Sequence, residues 1–207
     1  WACDSARYQA FERREPWFLN SLEPNVQACV DAFFTDANTR DHFTAAWQHV
    51  AQRFASAPAV IGFDVLNEPA WGTYPIGKFE QDRLQPFYEH VVAAVRKEAP
   101  GWVAFLEPAA SRNLGIATGL SRFSFANVMY APHSYDAGAE SGSGFNPAHS
   151  AAIFDNVTAL AEEARALDAG LWIGEYGGVT EQAGYAEYMQ AEYAAAVLRE
   201  QQGGKRL

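Results

Sequence analysis

Val60-Ile61-Gly62-Phe63-Asp64-Val65-Leu66-Asn67-Glu68-Pro69 is the stretch on which the fold turns. A short, mostly apolar, β-branched run ends abruptly in a polar Asn-Glu-Pro. Strands that are apolar along their length are buried on both faces, as in parallel sheets, so the run reads as a buried parallel strand with a functional tip. Upstream, Val26, Cys29, Val30, Phe33 and Phe34 recur at three and four and predict a helix over 25–34. Phe43, Trp47, Val50 and Phe54 predict a second helix, which Ala57-Pro58 stops because proline disfavours helical geometry in the residue before it. Downstream, a helix from about Gln81 to Glu98 leads through Pro100-Gly101 into the strand Trp102–Leu106, whose tip is Glu107-Pro108. A third strand, Asn127–Pro132, ends in His133-Ser134-Tyr135. A helix carrying Ile153, Val157, Leu160, Ala164 and Leu167 on one face then leads to a fourth strand, Leu171–Gly174, tipped by Glu175-Tyr176-Gly177-Gly178. A last helix is expected from about Glu181 to Gln201.

Strands alternating with helices imply βαβ units and a parallel sheet. No strand is followed by a glycine-rich phosphate loop, which lowers the case for a nucleotide-binding open sheet. Polar residues at successive C-terminal tips suit a (β/α)8 barrel, whose active site is assembled there. Such a barrel takes roughly 250 residues, and only four convincing strands are present in this 207-residue chain. The expectation is therefore α/β, a partial TIM barrel that exposes strand edges unless further strands or a partner complete it.

Composition narrows the function. The 49% hydrophobic and 14% aromatic content suffices for a packed core, and 25 acidic against 15 basic residues, with no Lys/Arg stripe, argue against nucleic acid as a partner. No apolar run approaches the roughly 20 residues of a transmembrane helix, and the beginning of the chain has no signal-peptide pattern. Trp1 at the start and Gln201-Gln202-Gly203-Gly204-Lys205-Arg206-Leu207 at the end read as cut or processed ends. Cys3 and Cys29 leave two readings open: a disulfide in an exported protein, or a buried thiol on the apolar face of the first helix. The localisation reading leans toward secretion. No cofactor is implied, and no metal, since the five histidines form no H-x-H or H-x3-H pair at a strand tip.

Glu68 and Glu175 stand at strand tips about 107 residues apart, which suits three βα units of roughly 35 residues each. Both can project into one barrel mouth. Glycoside hydrolysis needs two carboxyl groups flanking the scissile bond, one to protonate the leaving oxygen and one to attack or to activate water. Glu107, at the tip between them, is the rival. Its following residues, Pro108-Ala109-Ala110-Ser111-Arg112-Asn113, offer no aromatic or amide support, and it is read as a rim residue.

With these motifs in place, the sequence resembles the family-5 glycoside hydrolases and their wider barrel clan. There the fourth strand ends in Asn-Glu-Pro, as at Asn67-Glu68-Pro69, the sixth in His-x-Tyr, as at His133-Ser134-Tyr135, and the seventh in a glutamate, as at Glu175. The resemblance makes 1–207 a single partial glycosidase catalytic domain. Residues 1–58 would be the loop and helices before the fourth strand, and 59–207 four βα units, the fourth to seventh of the barrel. The stretches Glu15-Pro16-Trp17, Asp41-His42-Phe43-Thr44-Ala45-Ala46-Trp47 and Asn67-Glu68-Pro69-Ala70-Trp71-Gly72 look most like the endoglycoceramidase branch, which releases an intact glycan from a ceramide lipid.

The resemblance implies a retaining mechanism with a carbohydrate or glycolipid substrate: Glu175 as nucleophile, Glu68 as acid/base, and carboxyl groups about 5 to 5.5 Å apart. Tyr135 and His133 are expected to hold Glu175 in its charged form, and Asn67 to meet a sugar 2-hydroxyl. Trp71, Tyr74 and Tyr176 follow strand tips and are candidate sugar platforms or core. The segment Gly138-Ala139-Glu140-Ser141-Gly142-Ser143-Gly144-Phe145 is a candidate lid or a plain linker. Two further readings stand beside this one: a cellulase-type endo-β-glucanase of the same family, and a non-catalytic carbohydrate-binding remnant of a truncated barrel.

Overall fold

The computed structural model describes residues 17–201, with side chains from 19 to 197. The chain divides into two compact units, Trp1–Asn127 and Val128–Leu207. Each contains a pair of parallel strands joined by helix.

In the first unit a 3-10 helix (Trp17–Leu22) precedes α1 (Pro24–Thr35) and α2 (Ala37–Phe54). Glu23 caps α1 by accepting the Asn25 and Val26 N–H groups, and Pro24 sits in the first turn, where its missing N–H costs nothing. Asp36 serves both helices: its own N–H returns to the Ala32 carbonyl, and its carboxylate accepts from Asn38 N and Thr39 Oγ1. The Thr39 hydroxyl and the Asn38 N–H hold the Asp36 carboxyl below the ordinary carboxylate range. Strand β1 (Gly62–Asp64) follows. The next helix starts earlier than periodicity suggests, as α3 (Ile76–Phe79), passes through a π turn (Glu80–Leu84), and continues as α4 (Gln85–Glu98). Strand β2 (Val103–Leu106) then pairs in parallel with β1, Gly62 beside Val103 and Asp64 beside Phe105.

The alternation of β1 and β2 sends Phe63, Ala104 and Leu106 into a core with Leu84, Tyr88, Val91, Val92, Val95 and Trp102. Phe87 is the hub of an aromatic cluster, with Phe33, Phe34 and Phe43 at centroid separations of 5.3, 5.3 and 5.4 Å. Trp47 caps the end of β1 by donating its indole N–H to the Val65 carbonyl at 3.2 Å. Cys29 is disulfide-bonded, which decides against the buried-thiol reading; the chain's other cysteine, Cys3, lies outside the described residues.

In the second unit β3 (Val128–Tyr130) leads to a short helix, α5 (Ala137–Ser141), a 3-10 turn (Pro147–His149) and α6 (Ser150–Ala166). Strand β4 (Gly170–Leu171) pairs in parallel with β3, and α7 (Tyr185–Gln201) follows. Phe145, Ile153, Val157, Tyr188, Ala191 and Ala195 form its core with Ala139. The glycine- and serine-rich segment that reads as lid or linker is a packed piece of this unit. Ala139 and Phe145 are buried, and Gln182 bridges the segment by donating to the Ala139 carbonyl at 2.7 Å and accepting the Gly144 N–H at 3.0 Å. Among the described residues no helix is long and apolar enough to cross a membrane.

Candidate active site

Glu175 is placed by the β3–β4 ladder, which runs on past the strands proper. Trp172 and Gly174 donate their N–H groups to the Tyr130 and Pro132 carbonyls, and Ser134 N–H returns to the Glu175 carbonyl at 2.9 Å. Ser134 pairs with Tyr176 as an isolated parallel bridge, so His133 falls beside Glu175. Strand side chains alternate between faces, which puts His133 and Tyr135 on one side and Ser134 on the other. The Tyr135 hydroxyl accordingly donates to Glu175 Oε2 at 2.7 Å, and His133 Nδ1 lies 3.5 Å from the same oxygen. His133 is buried, with its side chain 2% exposed, while that of Glu175 is 45% exposed. Gly174 makes room for the imidazole: a Cβ there would stand 3.3 Å from His133 Cδ2.

Ser134, fully buried, faces the opposite way. Its hydroxyl donates to Glu192 Oε1 at 3.0 Å and accepts from Asn156 Nδ2 at 3.1 Å, while the Tyr188 hydroxyl donates to the Ser134 carbonyl at 3.2 Å. Burial pushes the Glu192 carboxyl above its ordinary value, against the lowering effect of the Ser134 and Tyr188 hydroxyls, and Asp136 adds to the rise. Burial likewise pushes the Tyr188 phenol far up. This network braces the His-Ser-Tyr tip from behind. Sequence reading passed over Glu192, although a glutamate at the i+4 position from Tyr188, between Ala191 and Ala195 on an apolar helix face, is itself a signal of a buried polar partner.

Glu68 is placed within the first unit. Its backbone has φ +43°, in the left-handed region that non-glycine residues seldom occupy. Its N–H donates to Glu107 Oε2 at 2.6 Å, and Asn113 Nδ2 donates to its side chain at Oε1, 2.8 Å. Glu107 is therefore no rim residue. It is 3% exposed, its carboxylate is turned under the β1 tip, and its carbonyl accepts the buried Tyr88 hydroxyl at 2.8 Å. The amide support judged missing after Glu107 comes from Asn113, on the 3-10 helix Ala110–Leu114, and goes to Glu68. That loop is anchored by Glu80 of the π turn. Buried on an otherwise apolar helix face, it accepts from the Ala109 N–H at 2.6 Å, from the Thr118 hydroxyl at 2.8 Å and from the Gly119 N–H.

Asn67 is exposed and lines with Glu68 a cavity of about 290 Å³ walled by Val26, Cys29, Val30 and Phe33 of α1. Trp71 lies in a different cavity of about 250 Å³, with Asp31, Phe34 and Tyr74. The Tyr74 hydroxyl donates to Asp82 at 3.0 Å, which raises its phenol above the usual range, and Arg83 sits 4.9 Å from the centre of its ring. Tyr176 is 40% exposed, and its hydroxyl donates to that of Tyr193 at 3.4 Å.

The sequence profile of Cellulase (glycosyl hydrolase family 5) matches residues 24–202. Endoglycoceramidase I of Rhodococcus hoagii (strain 103S) is 28% identical over 148 residues, 65% of this chain and 30% of its own length. The major extracellular endoglucanase of Xanthomonas campestris pv. campestris is 29% identical over 181 residues, 77% of this chain and 36% of its own. Among solved structures, endo-glycoceramidase II from Rhodococcus sp. in complex with ganglioside GM3 superposes with a TM-score of 0.82 at 27% identity, covering 90% of this chain and 45% of the other. The chain thus spans less than half the length of these relatives. The fold is α/β, a partial (β/α)8 barrel.

Proposed function

The chain belongs to glycosyl hydrolase family 5, and from that premise we propose that it carries the acid/base and nucleophile of a retaining, endo-acting β-glycoside hydrolase. One observation carries the reading above all: Glu175 lies where the β3–β4 ladder runs out, with its carboxylate accepting from Tyr135 at 2.7 Å and flanked by His133. A carboxylate that accepts from a fixed hydroxyl at a strand tip is what a glycosyl nucleophile requires. Glu68, whose left-handed backbone presents a side chain with Oε1 accepting from Asn113, supplies the second carboxyl group.

In the first step a Glu175 oxygen attacks the anomeric carbon. The bond to the leaving oxygen breaks, and that oxygen takes the proton of Glu68. In the second step Glu68 takes a proton from water, the water oxygen bonds to the anomeric carbon, and Glu175 departs as carboxylate. Two displacements retain the configuration and require the carboxyl groups to face each other at about 5 to 5.5 Å. Asn67, which lines the same cavity as Glu68, would meet the 2-hydroxyl, whereas Trp71 lines the separate cavity beside Tyr74 and would be a platform only for a part of the substrate reaching there.

The substrate reading is a glycolipid, cleaved between its glycan and its lipid, supported by the likeness to endoglycoceramidases I and II. The apolar cavity of α1 beside Glu68 suits a lipid-like aglycone. An endo-β-glucanase is the second reading, favoured by the likeness to the Xanthomonas enzyme. The Cys29 disulfide and the extracellular relative support export, since disulfides persist in oxidising compartments. The experiment uses the protein at the length its gene encodes, with ganglioside GM3 and cello-oligosaccharides as substrates. Release of intact oligosaccharide from the ganglioside is expected, and turnover of cello-oligosaccharides alone would favour the second reading. Glu175→Gln should abolish hydrolysis by orders of magnitude, and azide should restore turnover of Glu68→Ala on activated aryl glycosides. Near-normal turnover of Glu175→Gln, or Glu68→Ala that azide cannot rescue, would overturn the roles assigned.

A further inference from the structure

We propose that Glu107 and Asn113 are the positioning residues of the acid/base: Glu107 fixes its backbone, and Asn113 selects which of its oxygens delivers the proton. The inference rests on the reading of Glu68 as acid/base and adds how that residue is set.

A glutamate with φ +43° is in a conformation that its Cβ disfavours, and it persists only where neighbours over-determine it. The neighbour here is the Glu107 carboxylate, which takes the Glu68 N–H at 2.6 Å. Hydrogen bonds to charged acceptors are about twice as strong as neutral ones. Glu107 is itself enclosed, being 3% exposed, with the Tyr88 hydroxyl on its carbonyl and the next main-chain N–H, that of Ala109, held by Glu80 at 2.6 Å. A buried carboxylate is costly unless it is paired, and this one is brought to the main-chain N–H of a residue 39 positions away in sequence. That contact fixes the direction in which the β1 tip aims its side chain.

Asn113 completes the restraint from the other end. Its amide donates to Glu68 Oε1 at 2.8 Å. The carbonyl oxygen of a carboxylic acid is a better acceptor than its hydroxyl oxygen, so an amide donor on Oε1 favours the form with the transferable proton on Oε2. The loop that bears Asn113 is tied down by Glu80 through Thr118 and Gly119. Backbone and carboxyl of Glu68 are thus fixed by two groups from one tip and its loop, both anchored on the same π turn.

The test measures kcat/KM on aryl β-lactosides and β-cellobiosides of the gene-length protein, from dinitrophenyl, which departs without a proton, to phenyl, which needs one. Asn113→Ala should lose about tenfold or more on the phenyl glycosides and less than about threefold on the dinitrophenyl ones. Glu107→Ala should show the same leaving-group dependence more steeply, and Glu107→Gln, which keeps an acceptor oxygen, should recover part of it. Equal losses across the series, or none, would overturn the inference, because a merely structural defect slows both classes alike. Asn113 is exposed, so its variant decides the matter even if substitution of buried Glu107 prevents folding. Glu68→Ala is the control. If it is steep in leaving group and Asn113→Ala is flat, only the positioning claim fails; if Glu68→Ala is itself flat, the acid/base reading fails and takes this claim with it.

Discussion

Replacing Tyr135 by phenylalanine removes one atom, the hydroxyl that donates to Glu175 Oε2 at 2.7 Å, and leaves His133 Nδ1 at 3.5 Å from the same oxygen. A hydrogen bond to a charged group contributes about 1.5 to 3 kcal/mol. The Glu175 side chain is 45% exposed, so water can take the place of the hydroxyl, and the low end applies. About 1.5 kcal/mol corresponds to roughly a tenfold change in rate.

The two displacements feel that loss differently. In the first, Glu175 begins charged and becomes an ester, so the hydroxyl stabilises the ground state as much as the transition state, and its removal changes the rate little. In the second, charge returns to Glu175 as it leaves, and the missing donor raises the barrier. Tyr135→Phe should therefore slow deglycosylation by about tenfold and let the glycosyl-enzyme accumulate. Stopped-flow release of dinitrophenolate should show a burst approaching one equivalent per site, followed by a slow steady state, and mass spectrometry of quenched enzyme should find the sugar on Glu175. Unchanged steady-state turnover, or a comparable loss with no burst, would refute the proposed coupling of Tyr135 to the nucleophile.

Glu192→Gln tests the brace behind that tip. Burial raises the Glu192 carboxyl in the folded state, so the native protein binds its proton more tightly than the unfolded chain. The stability this gives is present below the unfolded value of about 4.3 and is lost as pH rises through the folded one. Glutamine does not titrate, so the variant should gain on the wild type in urea midpoint between acid and neutral pH, and parallel profiles would show that Glu192 titrates normally. Phe87→Ala removes the hub of the aromatic cluster and should cost about 3 to 5 kcal/mol in urea unfolding; a loss near 1 kcal/mol would mean that the cluster collapses around the gap.

The βα units were legible because their signals are local. The runs around Phe63, Ala104 and Tyr130 and the stripe Phe87, Val91, Val95 need only solvent on one side and core on the other to become strands and helices. Where the structure departs from that reading, the deciding contact is distant. Ile76-Gly77-Lys78-Phe79 carries no stripe, yet the helix begins there because Phe79 is drawn into the core beside Phe34, at 5.0 Å between ring centroids. The Gly138–Phe145 segment has the composition of a linker, but Ala139 and Phe145 are buried against α7, and Gln182, some 38 residues from Gly144, closes the contact.

The site divides along the same line. That Tyr135 and His133 face Glu175 is explained by strand alternation in the parallel pair, but the expectation of the bond rests on the family resemblance of the His-x-Tyr and Glu motifs and not on the pattern alone. The placement of Glu107 could not be had that way. Whether its carboxylate reaches a main-chain N–H depends on Glu68 having turned into the left-handed region, a choice that neither residue's neighbours in sequence dictate. What was available were three acids set among apolar side chains, Glu80, Glu107 and Glu192. Burying an unpaired carboxylate costs several kcal/mol, so each must have partners that repay its burial. Here those partners are the main chain of the β1 tip, the loop after β2 and Ser134 of the β3 tip. An acid predicted on the covered side of an element in a chain of this kind is therefore best read as pointing to the tip it holds.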